Sequence, residues 1–386
     1  MTSVSVLPDP RGFPDPHAAA PEHAHLYALA TDALAAGTRQ HSDALDREIR
    51  VFLAAYLASS GVALAALFAG APSVAVTRHL WRALDAVWRQ GRAPGKAGLA
   101  LTVFAVPIVI VSGVEGATTD LAQPGILGAP ESLAAILREH GALGGSQTFA
   151  LANALVSGEA IELPRLPEIF AWQVLPESRS GDFLPRALPP SPMSFPAGRE
   201  GVHLRFLVGS ALARPGLDLL ADDEVRKWGV PFTKELSRQL AVGATSVLAL
   251  ARAPQRPLPA LAAGRAAQRE VGAQMFASNA IRKLRGSVGE PSAVISAHRA
   301  ADAPGGGELR LSLSSPFAPR DAEGFRCPLY PLDRVGDVAS MLVDLMADCR
   351  VTDVQIGAGV HADRDPATGL TLLFKPDTLP GPAAVH

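Results

Sequence analysis

In VHADRDP, an imidazole and two carboxylates, His361, Asp363 and Asp365, fall at every second position. Hard oxygen ligands with one imidazole are a set that could hold a divalent cation, the one cofactor the sequence suggests. On an extended strand His361 and Asp363 point to the same face, which favours a shared ligand. The competing reading is a hairpin tip, where Asp, Pro and Gly are expected as turn formers, and it is the stronger of the two. His298 occupies an equivalent place in an earlier hairpin candidate, with only Asp302 nearby.

A second candidate is Glu115 in SGVEGATTD, residues 112–120, which leaves the end of an apolar run. Open α/β sheets place ligands at such exits, so Glu115 could serve as acid, base or metal ligand, with Ser112, Thr118 and Thr119 donating to an anion. Ordinary turn chemistry explains the same glycines. HGALGGSQTFALANAL, residues 140–155, offers glycines before an expected helix. The phosphate-loop pattern needs a lysine where Gly145 stands, and a nucleophile elbow around Ser146 needs a glycine where Thr148 stands. Ser146 as the N-cap of a helix over 146–157 accounts for every residue.

Positive charge concentrates between Arg252 and Arg299, with seven Arg and one Lys against Glu270 and Glu290. On a helix over 261–285, Arg265, Arg269, Phe276 and Lys283 lie within about 40° of one another. A basic face carrying an aromatic could track a nucleic-acid backbone and stack a base. The alternative is an internal partner. Residues 320–365 carry nine acidic side chains against five Arg, and so supply one. The metalloprotease HExxH, dinucleotide GxGxxG, CxxC and EF-hand patterns are absent, and His17, His23 and His25 lie in a Pro-rich start.

The elements that must position these residues read as mixed α and β, an α/β or α+β fold. A Pro-rich arm covers 1–23, a helical and α/β unit 24–162, a Pro-rich irregular connection 163–200, and an α+β unit 201–378. Helices are expected over 24–36, 42–70, capped by Ser42 or Asp43, 74–89 and 131–140. The clearest strand is Leu99 to Gly113, β-branched and uncharged, with Pro107 demanding a bulge or a break. Such a strand is expected at the centre of a sheet between helices. Further strands are expected at 202–213 and 245–251, flanking helical material at 217–241. Residues 261–314 and 334–375 each read as a helix followed by a hairpin, a candidate internal repeat.

Length, 48% hydrophobic and 19% charged residues predict a folded chain of two or three units. A net charge of −2 excludes a global pull toward nucleic acid or acidic lipid. Thirty Arg against five Lys reads as the coding bias of a high-GC genome. Two cysteines, Cys327 and Cys349, exclude a disulfide scaffold and read as buried thiols of a reducing, cytoplasmic setting. Residues 51–71 are uncharged and long enough to span a membrane, yet only eight are Leu, Val or Phe. Their insertion is worth roughly −3 kcal/mol, a marginal candidate span, and a core helix with a Leu53, Tyr56, Leu57, Ser60, Leu64 and Leu67 stripe explains them as well. Together these features lead to a non-enzymatic component of a larger intracellular assembly, self-associating or bound to other protein subunits. A metal-dependent enzyme acting on a phosphate-bearing substrate and a nucleic-acid binder are the alternatives.

Overall fold

The computed structural model describes residues 7–11, 21–59, 64–89, 100–112, 121–123, 127–143, 148–162, 193–195, 201–213, 225–240, 247–285, 290–303, 306–315 and 318–376. Helices and sheets are both present, and the chain divides into two compact units that interleave in sequence. One comprises Ala28–Ala66 and His79–Gln268. The other comprises Met1–Tyr27, Leu67–Arg78 and Arg269–His386.

In the first unit, β1 (Ala100–Ser112) lies between β5 (Gly201–Ala213) and β6 (Val247–Ala251), with β3 (Thr148–Val156) outside β5. All neighbours are antiparallel. Strands on both sides of 163–200 thus join one sheet. Pro107 lacks an N–H, and its carbonyl accepts from Arg252 N at 2.9 Å on the β6 side. On that side the register slips by one residue, from Ile108↔Ala251 to Ala105↔Gln255, while pairing with β5 runs unbroken. The bulge required by the proline sits where its missing donor points.

Phe104, Val106, Ile108 and Ile110 pack against Leu133 and Leu137 of α5 (Pro130–Glu139) and Trp228, Phe232 and Leu236 of α7 (Val225–Leu240). The opposite face meets the first half of α8 (Pro257–Arg285), where Gly264 approaches Leu204 and Phe206 so closely that a side chain would collide. A β1 apolar on both faces is the consequence of helices on both faces.

Residues 148–156 form β3, which corrects the helix expected over 146–157. TFALANALV has helix-forming Ala and Leu and only its end residues are β-branched. Pairing with β5 and burial of Phe149, Leu151 and Leu155 override that propensity.

The helix expected over 42–70 resolves into α2 (Arg39–Ser59) and α3 (Leu64–Ala69). Thr38 Oγ1 accepts from His41 N at 3.3 Å, so the cap lies upstream of Ser42 and Asp43. Leu53, Tyr56, Leu64 and Leu67 are buried, as the core-helix reading requires. Among the described residues no helix is long and apolar enough to cross a membrane.

In the second unit, β7 (Ser292–Arg299), β8 (Gly307–Ser315) and β9 (Ala318–Pro328) form an antiparallel meander. Helix α9 (Val335–Asp348) then returns the chain so that β10 (Asp353–His361) lies parallel to β7, giving the order β10-β7-β8-β9. A parallel neighbour needs such a crossover. The first helix-hairpin element is therefore α8 followed by β7 and β8. In the second the edge of β10 is taken by β7, and the return leg pairs back only beyond β10, over residues 363–372, through the Arg364↔Thr371 bridge and the bonds from Asp365 N to the Leu370 carbonyl and from Leu372 N to the Asp363 carbonyl.

Ala293, Ile295, Ala297, Leu309, Leu311 and Leu313 face α8 and α9 in one apolar cluster that also takes in Leu7. Arg11, 6% exposed, donates to the Tyr330 carbonyl at 2.7 Å, so part of the Pro-rich start is docked in this unit.

Candidate functional site

Strand alternation sends every second residue of β7 and β8 to the face away from the helices. On β7 these are Ser292, Val294, Ser296 and His298, and on β8 they are Glu308, Arg310, Ser312 and Ser314. All are buried. The register sets Ser296 beside Arg310, His298 beside Glu308 and His361 beside His298, and Arg326 of β9 beside Arg310. A sheet face this polar is ordinarily wet. Here residues 362–376, hereafter the strap, cross over it.

Arg310 is 0% exposed. Its Nε donates to Glu308 Oε1 at 2.5 Å. Its Nη1 donates to the strap carbonyls of Asp363 at 2.6 Å and Leu372 at 3.0 Å, and its Nη2 donates to the Asp363 carboxylate. Glu308 also accepts from Arg326 Nε at 2.8 Å, and Arg326 forks onto Asp302 through both Nη atoms. That fork holds the Asp302 carboxyl below its ordinary range and raises the Arg326 guanidinium further. Taking a guanidinium out of water is expensive unless its donors are matched, and this network matches them.

Ser296 Oγ lies 2.8 Å from His298 Nε2, and His298 Nδ1 lies 2.8 Å from the Ala362 carbonyl. A carbonyl can only accept, so Nδ1 carries the proton and Nε2 accepts from the serine. A hydroxyl, a base and an orienting acceptor in series are the components of an activated nucleophile. Two facts set that chemistry aside in this state. Both residues are 0% exposed, and burial pushes the His298 pKa down to about 4, leaving a weak base. Beside them His361 and Phe374 pack with ring centroids 4.5 Å apart. Burial lowers the His361 pKa as well, and its Nε2 is buried without a hydrogen-bond partner, as is Ser312 Oγ.

The residues singled out in the sequence are placed as follows. His361 and Asp363 do turn to one face, but the Asp363 carboxylate is taken by Arg310. Asp365 Oδ1 accepts from Ala367 N at 2.8 Å in a turn closed at Gly369, φ 66°. Among the described residues no group of three or more His, Cys, Asp or Glu is arranged to hold a metal ion.

The basic stripe is engaged along its length. Arg265 pairs with Glu162 at 3.1 Å, Arg269 with Asp333 at 2.5 Å and Lys283 with Glu323 at 3.0 Å, while Phe276 stacks on Phe325 at 5.5 Å. Asp333 and Glu323 belong to the acidic stretch expected to supply such partners. Glu115 and Ser146 lie outside the described residues. Cys327 and Cys349 form no disulfide, and burial pushes the Cys327 thiol up to about 12.

Sequence reasoning missed Ser296, Glu308, Arg310 and Arg326 as a group. The signal was present in SxH and ExR, polar pairs at strand period, but alternation by itself reads as a solvated face. Comparison with protein-family models, with curated proteins and with solved structures finds no match.

Proposed function

We propose that this chain is a non-enzymatic interaction component of an intracellular assembly. One observation carries the reading: among the described residues, five of the side chains whose types and spacing suggested chemistry are committed to internal contacts. Asp363 serves Arg310, Asp365 serves its own turn, and Arg265, Arg269 and Lys283 serve Glu162, Asp333 and Glu323.

The reading is tested against the metal-enzyme alternative by a thermal-unfolding series with Mg²⁺, Mn²⁺ and Zn²⁺, because a cation bound to the native state raises stability by linkage. An unchanged midpoint is expected. A midpoint that rises with metal concentration and is lost in Asp363→Asn would overturn the reading.

A further inference from the structure

We infer that the polar face of β7 and β8 is a recognition surface for a hairpin-forming peptide bearing a carboxylate, and that the strap, residues 362–376, occupies it as an internal stand-in for that peptide. The inference rests on the interaction reading and names the chemistry of its partner.

Three observations carry it. The first is what Arg310 takes from the strap: two main-chain carbonyls, of Asp363 and Leu372, and one carboxylate, of Asp363. The two carbonyls face each other across the strap's own hairpin, where Leu372 N reaches the Asp363 carbonyl, so a hairpin carrying one acidic residue supplies the whole set. A guanidinium is suited to that role by its planar array of donors. The second is that the strap fits imperfectly. Ser312 Oγ, in a residue 1% exposed, and His361 Nε2 are buried without partners. A buried unsatisfied group is costly, and a ligand able to reach it would recover that cost. The third is how little holds the strap down. From Ala362 to Thr371 it is mostly exposed, and Phe374 is its one buried residue. A cover meant to be permanent lays apolar residues on an apolar face. This one lays them beside serines, two histidines and an ion pair, which water can solvate once the cover lifts.

The test uses the full chain and a labelled peptide of residues 361–376, HADRDPATGLTLLFKP, supplied in trans. Wild-type chain, its face filled in cis, should bind the peptide weakly. A full-chain Asp363→Asn/Phe374→Ser double variant, its strap loosened, should bind it at least tenfold more tightly. A peptide carrying Asp363→Asn should lose at least tenfold, and the double variant should keep the mass of the wild type by light scattering. No gain in peptide binding by a folded double variant, or a dimer formed by exchange of straps, overturns the inference.

Should the double variant fail to fold, hydrogen exchange of the wild type still decides. The amides of Asp365, Gly369 and Leu372, which bond within the strap, are expected to exchange at least 100-fold faster than those of β7 and β8. Exchange of strap and strands at one common rate overturns it. None of these outcomes depends on the native partner, so failure here leaves the interaction reading to its own tests.

Discussion

His298 donates its Nδ1 proton to the Ala362 carbonyl and accepts from Ser296 at Nε2, so the folded protein holds it neutral. Its pKa is about 4 against an ordinary 6.5. A histidine depressed in this way contributes stability fully above pH 6.5. That contribution is lost as the pH falls from 6.5 to about 4, because over that window the unfolded chain takes a proton that the native state refuses. The loss should reach at most about 3 kcal/mol. His361 and His203 are lowered in the same sense. Denaturant unfolding at stepwise pH should show the loss, and His298→Gln should flatten most of it. A variant as pH-dependent as the wild type would contradict the assignment.

Arg350 stands at φ 58°, directly after α9, where Val351 N reaches the Met346 carbonyl at 2.9 Å. Glycine usually takes this left-handed position, since any other side chain is strained there. Arg350→Gly should therefore stabilise the protein by up to about 1 kcal/mol, the relief of strain being offset in part by the freedom glycine adds to the unfolded chain, read as a higher urea midpoint. A lower midpoint would mean that the arginine side chain makes contacts worth more than the strain. It lines a groove of about 550 Å³ with Ser278, Ile281, Arg282, Asp348 and Cys349.

At the scale of elements, the strap depends on Gly324 of β9, because a Cβ at that position would run into the Leu373 side chain. Gly324→Ala should lift Leu373 and loosen the strap, since a methyl group there must displace it. The expected result is faster amide exchange at Gly369 and Leu372, with β7 and β8 unchanged. Equal acceleration across the sheet would show instead that the strap is part of the core. The elements themselves were legible in the sequence wherever local pattern and tertiary demand agree. The β-branched run of β1 reads as a central strand, and Pro107 announces its bulge. The α8 stripe reads as a basic face with an acidic partner at hand. Where they disagree, the sequence misleads: the alanines and leucines of β3 carry no strand signal, and only the edge of β5 makes them one. The same holds for β10, whose alternation suits a hairpin or a parallel edge equally. The choice is made by which neighbouring strand is open. Ser296, His298 and Arg310 were visible as polar positions on strands, but a covering segment some fifty residues downstream, which turns a wet face into a dry network, leaves no trace in their own spacing.

At the scale of the whole molecule, Asp363, Asp365, Arg265, Arg269 and Lys283, which could have served metal, phosphate or nucleic acid, are taken up in internal contacts, and the polar face closed by residues 362–376 is what we assign to recognition. The central claim, that the chain acts by binding other protein, is tested most directly by the mass of the native particle, taken from its own cell lysate by size exclusion with light scattering, with its constituent chains identified. A particle well above the 40.1 kDa of one chain, with its subunits in fixed ratio, is expected. A lone chain at 40.1 kDa would contradict it and return the metal and nucleic-acid readings to first place.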